Sequence, residues 1–135
     1  MSEPTTPGRA TPSIAFDRAM EGVVTRCSHL TALLDLGDLD RGEDAARSAV
    51  NVWLAGSAAY RRLVRHEATI AELTATRERL DVTYLRLLGV MKRAYAVLEG
   101  HMSRNTLDDL RIQLVTAAAQ LDSDAATPGK GALHQ

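Results

Sequence analysis

Cysteine is nearly absent from this sequence: Cys27 stands alone among 135 residues. One thiol excludes an internal disulfide framework and any cysteine-cluster metal site. Aromatic residues are scarce, with one Trp, one Phe and three Tyr. β-Branched residues are sparse as well, and both shortages argue against a sheet. No apolar run reaches membrane-spanning length. The most apolar stretch, residues 82–98, is broken by Arg86, Lys92 and Arg93. The first residues, Met1-Ser2-Glu3-Pro4, lack the basic start and apolar core of a signal peptide. An excess of one charge is missing too: 16 Lys+Arg face 17 Asp+Glu, a net charge of −1. That balance removes the simple electrostatic case for a nucleic-acid or membrane protein. The unpaired thiol goes with a cytoplasmic expectation.

Helix formers dominate what is present. Ala and Leu supply 39 residues, and proline is absent between Pro12 and Pro128. Both ends differ in kind. Residues 1–11 hold three Thr and two Pro, and residues 122–135 carry Pro128, Gly129 and Gly131. These compositions bury too little apolar area to offset ordering entropy, so both ends are expected to be disordered arms. The helical domain is expected over residues 12–121.

Its first helix is predicted over residues 12–36. Thr11 suits the cap and Pro12 the first helical position. Phe16, Met20, Val23, Cys27, Leu30 and Leu34 form one apolar stripe, and Gly37 is a natural stop. Asp40 and Glu43 resemble a capping box opening a second helix. From there a heptad-like series runs through Ala45, Ala49, Val52, Gly56, Ala59, Leu63, His66, Ile70, Leu73, Arg77, Leu80, Tyr84, Leu87, Met91, Ala94 and Leu98. The register predicts one coiled-coil-like helix over residues 43–100, ended by Gly100. A last helix follows over residues 106–121, capped by Asn105 or Thr106, with Leu107, Leu110, Leu114, Ala117 and Leu121 on its stripe.

Length then bears on function. At 1.5 Å per residue the central helix would measure roughly 87 Å, the flanking ones roughly 37 and 24 Å. Two short antiparallel flanks leave the middle of the long helix uncovered. Leu63, His66, Ile70, Leu73, Arg77, Leu80, Tyr84 and Leu87 are therefore expected to line an interface with a second copy. A break at residues 66–69 would instead give a compact four-helix chain, but no Pro or Gly marks one. Arg77 is the odd member of the seam; it would specify register, with Asp81 one turn on as its partner.

No constellation for catalysis, metal or cofactor emerges. His66-Glu67 begins a zinc-helix motif, but Ile70 stands where the second His is required. Cys27 and His29 project from opposite sides of a helix, so they do not form a nucleophile–base pair, and Cys27 reads as a core thiol. A calcium loop beginning at Asp38 fails at its sixth and twelfth positions, Glu43 and Ala49. Those carboxylates suit a turn and a helix N-terminus.

Charge is unevenly spread. Residues 61–104 carry nine basic and five acidic side chains, and both flanks are acidic. Arg65, Arg79, Arg86 and Arg93 fall in one outer column interrupted by Glu72, with Arg61 and Arg62 at its start. Such a column suits phosphates or an acidic partner. The expectation is an all-α, non-enzymatic, homo-oligomeric assembly or adaptor protein, a dimer foremost, with a further protein partner. A small bacterial or phage-encoded structural component fits it. The alternatives are a nucleic-acid-associated accessory protein using the Arg column and a small helical enzyme with a site between chains.

Overall fold

Gly37 sits at φ +73°, a left-handed conformation that side chains disfavour, and ends α1 (Pro12–Leu36). Its N–H donates to the Leu34 carbonyl, and the Asp38 N–H donates to that of Leu33. Asp38 then opens α2 (Leu39–Arg65), its carboxylate accepting from the Arg41 N–H at 3.2 Å. The cap is therefore Asp38 rather than Asp40, two residues earlier than the capping-box spacing suggested. α3 (Ile70–Leu98) and α4 (Arg104–Ala126) complete the described chain. The computed structural model describes residues 12–65 and 69–126. The expected N-terminal arm and His66 lie outside them, as do residues 127–135 of the expected C-terminal arm.

The all-α class is as expected, but the single helix over residues 43–100 is replaced by two. Thr69 is extended (φ −66°, ψ 158°), and its hydroxyl accepts from the Glu72 N–H at 3.1 Å. The same hydroxyl lies 2.8 Å from Glu72 Oε2, onto which it donates. Thr69-Ile70-Ala71-Glu72 is thus an N-cap signal sitting inside an unbroken heptad pattern. At the last helix, Ser103 caps through its hydroxyl to the Thr106 N–H, and the helix runs on to Ala126 rather than stopping at Leu121.

Neighbouring helices alternate in direction. Arg26 Nε donates to Ser48 Oγ at 2.7 Å across the antiparallel α1–α2 pair. A Cβ on Gly56 would collide with Met20 Cε and lie 3.1 Å from Ala19 Cβ, so these two helices touch closely. Trp53 Nε1 donates to the Leu80 carbonyl at 3.3 Å, and its ring lies 5.0 Å from that of Tyr84, joining α2 to α3. Thr83 Oγ1 meets Met20 Sδ at 3.0 Å between α1 and α3. α4 is held by Arg61 donating to Gln120 Oε1 and Arg77 donating to the Leu121 carbonyl. Together they bury one core of Met20, Val23, Leu30, Val50, Trp53, Leu80, Leu87, Met91, Leu98 and Leu114. Each large apolar side chain so enclosed is worth roughly 1.5–3 kcal/mol relative to exposure.

Candidate functional site

The seam expected between copies is divided by the α2–α3 turn. Leu80 and Leu87 are fully buried in their own chain. Leu63, Leu73 and Tyr84 are half-buried against the same core. Folding α3 back along α2 supplies the cover that a second copy was expected to provide, so Leu80 and Leu87 are intrachain contacts and not interface residues. Ile70, at the start of α3, remains 83% exposed. Arg77 does pair with Asp81, at 3.0 Å, as the spacing of four suggested.

The expected Arg column is split between two helices: Arg79, Arg86 and Arg93 lie along the edge of α3 that faces α1, whereas Arg61, Arg62 and Arg65 belong to α2. Arg79 Nη1 is 2.7 Å from Asp17 Oδ1, and Arg93 Nη2 pairs with Asp35 Oδ1. Arg86 lies close enough to the Cys27 thiol to act on it electrostatically. Arg61 is turned toward α4 by Gln120, while Arg62 and Arg65 are exposed near the end of α2. Two of the column's guanidinium groups thus serve as ties between α1 and α3. Such solvent-exposed pairs are worth about 0.2–1 kcal/mol each.

The acidic turn is used within the fold. Asp40 Oδ1 lies 2.8 Å from His101 Nε2, and Glu43 Oε1 lies 3.7 Å from it, linking the start of α2 to the α3–α4 turn. Cys27 is buried, and burial pushes its thiol above its ordinary pKa of 9.0. It is a protonated core thiol at neutral pH. Among the described residues, no three His, Cys, Asp or Glu side chains gather as a metal-binding group. Among them no helix is long and apolar enough to cross a membrane.

What the periodicity of the buried seam obscured is the opposite face of α3. Val82 and Leu85 are 62% and 66% exposed there, and Gly89 follows with open space where a Cβ would stand. On α4, Ile112 and Val115 are 59% and 50% exposed. Asp108 and Arg111, which border Ile112 and Val115 on α4, also meet Lys92 and Ala96, which continue the Val82–Leu85 row of α3, so both apolar pairs flank one groove. Beside them is a shallow depression of about 370 Å³ where Lys92 and Tyr95 face Asp108 and Arg111. The Tyr95 hydroxyl is sheltered from solvent with no hydrogen-bond partner, and burial, the largest cause, raises its pKa, so it remains a donor.

No protein-family model, curated protein or solved structure matches this chain.

Proposed function

We propose that this chain is a non-enzymatic helical assembly or adaptor protein that binds protein through the outer face of α3 and α4, a second copy of itself first. One observation carries this reading: Val82, Leu85, Ile112 and Val115 lie half or more exposed on the faces of α3 and α4 that flank one groove. Grouped exposed apolar side chains mark interaction surfaces, whereas scattered ones do not. The depression beside them adds charges of both signs, the polar surround that protein interfaces use.

A cytoplasmic address goes with this reading, since the one thiol is free and buried. The nucleic-acid alternative draws less support, because Arg79 and Arg93 are engaged by Asp17 and Asp35. A further protein partner would use what self-association leaves open. The test is light scattering on the full chain and on the Leu85→Asp, Ile112→Asp double variant. A wild-type mass above 14.6 kDa that falls to 14.6 kDa in the variant supports the proposal. A wild type that stays at 14.6 kDa at every concentration overturns it.

A further inference from the structure

We infer that α3 pairs antiparallel with α3 of a second copy, with Val82, Leu85 and Gly89 at the centre and Glu78 of each chain beside the partner's Lys92. This deepens the proposal above and rests on it. Along the outer face of α3, exposed residues alternate at spacings of four and three: Glu78, Val82, Leu85, Gly89, Lys92 and Ala96. That is a second heptad seam, on the side of the helix away from its own core. It is short, small and apolar in the middle, and its two ends carry opposite charges.

The charges choose the orientation. Glu78 and Lys92 stand seven residues either side of Leu85, on one line along the helix. A parallel partner would set Glu78 on Glu78 and Lys92 on Lys92. An antiparallel partner sets each Glu78 within about one helical turn of the opposing Lys92. Neither charge is used at home: among the described residues Glu78 and Lys92 make no ion pair, whereas the neighbouring Arg77, Arg79 and Arg93 are paired with Asp81, Asp17 and Asp35. The seam is also placed for full overlap. The midpoint between Leu85 and Gly89 lies three residues past the middle of Ile70–Leu98, so two copies reversed about it overlap along most of the helix.

Shape agrees with charge. Outside its own stretch of helix, no atom of the described residues lies within 4 Å of where a Gly89 Cβ would stand, so the helix is notched on its outer side. Leu85 projects one turn away and seats over the partner's Gly89 when the helices are reversed. The glycine permits close approach of the two backbones in the middle of the contact. Val115 and Ile112 of α4 then rim the contact on one side.

The experiment is sedimentation of the full-length chain, wild type against Glu78→Lys, Lys92→Glu and the combined charge exchange. Each single reversal sets like charges together and is expected to weaken dimerisation about tenfold or more. The combined exchange restores opposite charges and should return the dissociation constant to within about threefold of wild type, a relation only antiparallel pairing produces. Leu85→Asp, at an exposed position where folding is preserved, should leave a 14.6 kDa monomer. A wild-type dimer indifferent to Leu85→Asp, or a combined exchange as weak as the single ones, overturns the antiparallel pairing while self-association stands. A wild type of 14.6 kDa at every concentration overturns both.

Discussion

Trp53 Nε1 and the Leu80 carbonyl, 27 positions apart, meet at 3.3 Å. Along an unbroken helix that separation would be about 40 Å. The bond therefore defines the hairpin that lays α3 along α2, and Trp53 is fully buried at its centre. Trp53→Ala is expected to cost about 3–5 kcal/mol, as for other large aromatic truncations in a closed core. Trp53→Phe should cost less, keeping most of the packing while losing the donated bond. Urea denaturation followed by circular dichroism checks both.

The turn has a local signal of its own. Thr69→Ala removes the hydroxyl that accepts from the Glu72 N–H and should destabilise the fold by about 1 kcal/mol. Thr69→Ser retains the cap and should stay close to wild type. Equal losses in the two variants would mean that the hydroxyl is not what starts α3.

How legible this fold was depends on which signals are local. Pro12 and Gly37 mark the ends of α1 in a few residues each, and the helix lies between them. The α2–α3 turn was hidden because both helices face the same core. Leu63 and Leu80 keep one heptad phase across a corner, so periodicity passes through it without a break. The Thr69–Glu72 spacing was the available clue, outweighed by the absence of Pro or Gly. The Arg column was visible, but its partners Asp17 and Asp35 lie 62 and 58 residues away, where no local pattern connects them. The outer seam of α3 was masked by the stronger inner one and by Glu78 and Lys92, which interrupt it.

Close approach of α1 and α2 depends on Gly56. A Cβ there meets Met20 Cε, which can move, and Ala19 Cβ at 3.1 Å, which cannot. Gly56→Val is expected to force the helices apart and cost about 1–3 kcal/mol, despite the usual gain from replacing a helical glycine. Thermal melting of the purified variant measures it. A rise in Tm would show that the α1–α2 contact is looser than described.

Alkaline pH should weaken the fold in a defined order. Burial raises Cys27 above its ordinary value of 9.0, and it raises Tyr84 and Tyr95 above 10.0. Each group binds its proton more tightly folded than unfolded, so its contribution is whole below the unfolded pKa. That contribution is lost as pH climbs through the folded one. Stability from these groups should thus hold up to about pH 9 and decline above it, Cys27 first and the tyrosines after. Urea melts from pH 7 to 11 report the profile, and Cys27→Ala should delay its onset.

Self-association through the outer face of α3 and α4 is tested most directly by sedimentation equilibrium of the full-length chain over a wide concentration range. The average mass is expected to climb from 14.6 kDa toward twice that value with concentration, and that of a Leu85→Asp chain to stay at 14.6 kDa throughout. A wild-type chain that also stays at 14.6 kDa at every concentration would contradict it.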